Sequence, residues 1–105
     1  LQRSIKIKLT RKRWEYVRTL LEEVTKAAPV ESFETDSIVL AEYYYKNFTK
    51  LSFFVPNKQG EMNFTLKLSE AYALYYIHMN DEFRTDMPLA TYFISNLQNQ
   101  LRITA

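Results

Sequence analysis

Between Arg3 and Ala28 the repeat of apolar residues changes, and the change falls at a single position, Thr10. Before it, Ile5, Ile7 and Leu9 alternate with Ser4, Lys6 and Lys8, a period of two that places the aliphatic side chains on one face of a β-strand over Arg3 to Leu9. After it, Trp14, Val17, Leu20, Leu21, Val24 and Ala28 recur at helical spacing as far as Pro29, which predicts a helix over 11–28. Thr10 supplies the hydroxyl that a helix N-terminus takes as its cap. A strand that runs without a loop into a helix points to a mixed fold in which helices cover the strand's apolar face.

The rest of the chain repeats these signals. VESFETD, Val30 to Asp36, is a polar connection with Thr35 or Asp36 as the next cap, and Ile38, Ala41, Tyr45 and Phe48 form one stripe of a helix running from Ser37 to about Lys46. Leu51, Phe53 and Val55 alternate before Pro-Asn-Lys-Gln-Gly, which holds the only glycine, and Met62, Phe64, Leu66 and Leu68 alternate after it. That pattern predicts a hairpin with a longer loop; the competing reading runs the second helix on to Phe54 and leaves Met62 to Leu68 as the one strand here. Ser69 is the predicted cap of a third helix ending near Asn80, with Glu70 in its first turn. Asp86 and Pro88 signal a fourth, in which Leu89, Phe93, Leu97 and Leu101 follow at intervals of four.

IKIKLT and FTLKLS, each leading into a helix, echo one another about 59 residues apart. The echo suggests two strand-helix-helix halves, although Leu followed by Ser or Thr is also simply how a strand enters a helix. If Met62 to Leu68 pairs with the first strand, Asn63, Thr65 and Lys67 join Ser4, Lys6 and Lys8 on one face, and such side chains on a strand pair suit a major groove. In element order alone, the basic strand, helix and second helix over residues 3 to 47 resemble the ribbon-helix-helix class of DNA-binding proteins. The resemblance implies a strand pair formed between two subunits. The tight turn usual between the helices of that class is replaced here by APVESFETD.

The fold expected from these elements is α+β and predominantly helical, with about four helices around a small two- or three-stranded, largely antiparallel sheet formed from Arg3 to Leu9, about Leu51 to Val55, and Met62 to Leu68. With 105 residues, 47% hydrophobic and 25% charged, the chain is expected to make one domain over 1–105. So short a sheet is marginal unless helices cover it or another subunit extends it, which makes a homodimer the expected state. No apolar run reaches the ~20 residues of a membrane span and no signal-peptide core is visible, so the chain reads as soluble, with a cytoplasmic location as the simplest expectation.

Several chemistries find no support in the sequence. With no Cys there are no thiolate metal sites or thiol nucleophiles, and one glycine cannot supply a phosphate loop. The single His78 pairs on paper with Glu82 and Tyr75 as a general base; the plainer reading makes it a helix-surface or interface residue near a helix C-terminus. No catalytic residue, cofactor, metal ligand or small-molecule substrate is therefore assigned. The leading expectation is a small non-enzymatic interaction or assembly domain binding a protein or itself, with Tyr43, Tyr44, Tyr72 and Tyr76 as candidate interface residues.

The alternative is nucleic-acid or other polyanion binding at the N-terminal end. The net charge is only +2, but residues 1–26 hold eight Lys or Arg against three Glu, or +5, and residues 27–105 hold six against nine acids, or −3. Arg11, Lys12 and Arg13 face the positive end of their helix dipole, at ~0.3 to 1 kcal/mol each, where Asp36, Glu70 and Asp86 mark the other helix starts. A bound anion would relieve that conflict. The candidate contacts are Lys6, Lys8, Arg11, Lys12, Arg13 and Lys67. Against this, edge-strand lysines guard a sheet from aggregation, and long cationic stems cover apolar neighbours.

Overall fold

The computed structural model describes residues 4–31, 35–79 and 87–102. The fold is α+β and mostly helical. In chain order the elements are β1 (Ser4–Leu9), α1 (Arg11–Glu31), α2 (Thr35–Lys46), α3 (Phe48–Leu51), β2 (Met62–Lys67), α4 (Leu68–Met79) and α5 (Met87–Leu101). The two strands pair antiparallel, with Ile5 opposite Leu66, Ile7 opposite Phe64 and Leu9 opposite Met62. Ile5, Ile7, Leu9, Phe64 and Leu66 are all buried beneath the helices, as their period of two requires.

The pairing lies within one chain, whereas the resemblance in element order implied a pair between subunits. A helix side chain meets each outer edge of the ribbon. On the β1 edge, Tyr92 donates its hydroxyl to the Lys8 carbonyl at 2.9 Å and Gln100 Nε2 donates to the Lys6 carbonyl at 2.7 Å. On the β2 edge, Tyr43 donates to the Thr65 carbonyl at 3.0 Å. These carbonyls would otherwise be open to another strand, so α5 and α2 perform the edge protection that the sequence suggested for lysines.

The expected strand over Leu51 to Val55 is not formed. Leu51 instead closes α3, its N–H donating to the Asn47 carbonyl at 2.9 Å and its own carbonyl accepting from Trp14 Nε1 at 2.9 Å. Leu51 is buried while Phe53 and Val55 are 67% and 70% exposed, so the alternation that suggests a strand never shares a face in the core. The expected turn is present, but it folds on itself. Asn57 Oδ1 accepts the N–H groups of Gln59 and Glu61, at 2.9 and 3.0 Å, and Gly60 takes a φ of 77°, which a side chain would resist.

The long helices begin and end near their expected positions, with three differences. α2 begins at Thr35 rather than Ser37, so both expected caps, Thr35 and Asp36, lie within its first turn. α1 continues past Pro29 to Glu31, further than the proline suggested. α4 begins one residue before Ser69, and its start is secured by Glu70, whose Oε1 accepts the Lys67 N–H at 2.7 Å. That is the returning half of a capping box rather than the expected Ser69 cap. Asn80 and Asp86 lie outside the described residues.

Candidate nucleic-acid interface

The ribbon's second face carries Ser4 opposite Lys67, Lys6 opposite Thr65 and Lys8 opposite Asn63, and all six residues are exposed. Because the carbonyls of Lys6, Lys8 and Thr65 are directed to helix side chains, these are the pairs that exchange no ladder bonds, whose side chains stand closest, about 4.5 Å between Cα atoms. Lys6 and Lys8 project about 7 Å apart along β1. Among the described residues the two strands contribute no acid to this face; the Glu70 carboxylate lies at the end of β2, where it caps the Lys67 N–H.

The three cations that open α1 do not gather with them as a block. Positions two apart on a helix diverge by about 200°, and Arg11 and Arg13 accordingly leave in different directions. The Arg11 guanidinium lies over the Phe54 ring at 5.2 Å, and that of Arg13 over the Tyr92 ring at 3.6 Å with Nη1 at 3.5 Å from the Lys8 carbonyl. Lys12 is exposed between them. A cation over an aromatic face gains about 0.5 to 1 kcal/mol, the size of the dipole penalty, so the rings account for two arginines whose placement the sequence alone would explain by a bound anion.

The tyrosine candidates also separate. Tyr43 is buried at 7% exposure and stacked on Phe64, so it belongs to the core and not to an interface. Burial, and then the nearby Glu70 carboxylate, push its phenol well above the ordinary tyrosine range. Tyr44 is half-buried, with its hydroxyl 3.4 Å from Glu22 Oε1; partial burial and then that carboxylate raise its pKa. Tyr72 is half-buried and stacked on Tyr76, which is 50% exposed. Leu68, Tyr72, Tyr76 and Met79 thereby form an uncharged outer stripe on α4. Tyr44 and Phe48 line a cleft of about 80 Å³ with Arg18, Glu22, Leu51 and Ser52, well short of the roughly 300 Å³ of a small-molecule pocket.

His78 is neither the surface residue nor the accessible base that its sequence position suggests. It is 1% exposed, with Tyr16 Oη 2.8 Å from Nε2 and the Leu74 carbonyl 2.8 Å from Nδ1. A carbonyl only accepts, so Nδ1 carries a proton, and in the neutral ring Nε2 then accepts from the tyrosine. Phe93 stacks on both rings, at 5.4 Å from Tyr16 and 5.6 Å from His78. The expected companions are elsewhere: the Tyr75 hydroxyl accepts from Gln98 Nε2 at 3.3 Å, and Glu82 lies outside the described residues. Sequence reasoning misses this polar centre made by α1, α4 and α5; only the helical register of His78 among apolar residues points inward.

Among the described residues no three His, Asp or Glu side chains are grouped to hold a metal ion, and no helix is long and apolar enough to cross a membrane. No family model matches the chain, and neither the curated proteins nor the solved structures give a match.

Proposed function

We propose that this domain is a non-enzymatic binding module that holds a nucleic acid against the outer face of its ribbon. One observation carries the reading: Lys6, Lys8 and Lys67 share an exposed face with Ser4, Asn63 and Thr65, and neither strand adds an acid to it. Ammonium groups there meet phosphates or base acceptors, and the short polar side chains add donors and acceptors between them. Lys12, exposed between the two ring-bound arginines of α1, extends the positive end of the domain. Fluorescence anisotropy with labelled oligonucleotides tests the reading. Binding should weaken with salt, and Lys6→Gln, Lys8→Gln and Lys67→Gln together should flatten the slope of log K against log salt by about 0.9 for each phosphate no longer neutralised. Absence of binding at low salt, or affinity indifferent to the triple substitution, refutes it.

A second reading, self-association, is favoured by the α4 stripe. Leu68, Tyr72, Tyr76 and Met79 carry no charge, so the stripe meets a copy of itself without like-charge cost, and such a face suits a symmetric interface. Sedimentation equilibrium of the chain and of Tyr76→Lys decides it: a dimer abolished by the substitution supports the reading, and a monomer at high concentration removes it.

A further inference from the structure

The ribbon's register carries the nucleic-acid reading further. We infer that a single chain engages duplex DNA of B form through this ribbon and does so in one polarity, distinguishing a site from its reverse. The inference rests on the preceding reading of the same face.

The choice of duplex follows from what the face holds and what it does not. Its six residues are Ser, three Lys, Asn and Thr, with no ring among them. Proteins that hold unpaired bases stack them on aromatic side chains, and among the described residues the exposed rings, Tyr45, Phe48, Phe53 and Tyr76, lie outside the ribbon, while the half-buried Tyr92 at its β1 edge is covered by the Arg13 guanidinium. The major groove of duplex RNA is deep and too narrow for side chains to read, whereas that of B-form DNA, about 12 Å wide, admits a two-stranded ribbon. Lysine suits the paired acceptors of guanine, asparagine the donor and acceptor of adenine, and a threonine methyl packs on thymine.

The polarity follows from the strand register. The echo between IKIKLT and FTLKLS places Lys6 in correspondence with Thr65, and Lys6 and Thr65 are also the residues that directly face each other. A local two-fold axis therefore passes through that pair. The same operation exchanges Lys8 with Lys67, the matching lysines two residues to either side, and Ser4 with Asn63. The end lysines are thus separated by about 14 Å along the ribbon, roughly four base-pair steps at 3.4 Å each. The symmetry is broken at the centre, where one strand offers an ammonium and the other a small hydroxyl, and again at the flanks, where Ser4 answers to Asn63. Since both strands belong to one chain, the chain can hold different residues at positions that a symmetric dimer must make identical.

The test begins with selection of a preferred duplex from a randomised pool. Anisotropy then compares that duplex, the same duplex with its central base pairs inverted, each single strand, and duplex RNA of equivalent sequence. We expect the DNA duplex to be preferred by at least about tenfold over the other forms, with one chain bound per duplex by sedimentation. Lys8→Gln and Lys67→Gln should lose affinity equally, by about tenfold each. The exchange variant Lys6→Thr with Thr65→Lys keeps composition and net charge, and both sites are exposed, so its thermal melt should match the parent. Its preference should switch to the centre-inverted duplex. Equal binding of single strands or duplex RNA, two chains per duplex, or an exchange that leaves the preference unchanged overturns the inference while sparing the broader one. Absence of all nucleic-acid binding overturns both.

Discussion

The two halves of the chain, β1-α1-α2 and β2-α4-α5, repeat the same order of elements and use their first helices in opposite ways. α1 is long, 21 residues, and two-faced: its inner side is buried and its outer side carries Arg11 and Arg18, each laid over an aromatic ring, while Arg13 leaves the first turn in another direction to lie over Tyr92. α4 is 12 residues long and almost uncharged, with Ala71, Ala73, Leu74, Tyr75, Ile77 and His78 all buried, and it packs against α2, α5 and both strands. A helix apolar around most of its circumference goes to the centre, and a helix with one charged face goes to the rim. The repeat of elements therefore does not imply a repeat of roles.

The comparison is broken most severely where the halves meet. Phe93 on α5 is fully buried against Tyr16 of α1 and His78 of α4, so Phe93→Ala should cost about 3 to 5 kcal/mol in chemical unfolding. A change below about 1 kcal/mol would mean that the halves are not joined through this ring. Next in size is the hydrogen bond that crosses from one half to the other. Tyr16→Phe removes its hydroxyl from the buried His78 nitrogen and should cost about 1 to 3 kcal/mol. In a double-mutant cycle with His78→Phe the two effects should fall well short of additive, and additive effects would show that the bond contributes nothing.

The ribbon edges offer a smaller contrast. Tyr43→Phe should cost about 1 kcal/mol by removing the bond to the Thr65 carbonyl. Burial raises the folded Tyr43 pKa above its ordinary 10.0, so the unfolded chain releases its proton first as pH rises. Stability from this group is complete below about pH 10 and declines above it, and Tyr43→Phe should flatten the alkaline limb of a denaturant midpoint plotted against pH. The smallest effects separate the two helix starts. Glu70→Ala should cost about 1 kcal/mol by removing the 2.7 Å bond to the Lys67 N–H, and Ser69→Ala should change stability by less than about 0.5 kcal/mol. Thr10→Ala should fall between them, because its cap bond to the Arg13 N–H is long, 3.5 Å. A Ser69→Ala effect exceeding that of Glu70→Ala would restore the symmetric caps suggested by the echo.

Much of the candidate interface is legible from the residues alone. Ser4, Lys6, Lys8, Asn63, Thr65 and Lys67 belong to one face because successive side chains on a strand must alternate, and the register bears out that grouping. The same rule misleads at Leu51 to Val55, where three alternating apolar residues are too few to exclude a helical turn, and Trp14 from a distant segment holds the Leu51 carbonyl. His78 is misplaced by the sequence for a related reason. Its helix is apolar on several sides, so periodicity does not reveal which side faces inward, and its partner Tyr16 lies 62 residues away.

By itself, then, the sequence determined the order of the long elements, the two faces of each strand and the basic character of one end, because these depend on backbone periods and on charges carried by neighbouring residues. Tertiary structure decided how the pieces meet: that β1 pairs with β2 of its own chain, that Tyr43, Tyr92 and Gln100 close the ribbon's edges, and that Arg11 and Arg13 lie on rings. Each of those meetings joins residues more than 20 positions apart, and only the packing of the whole core brings such residues within a few ångströms of each other.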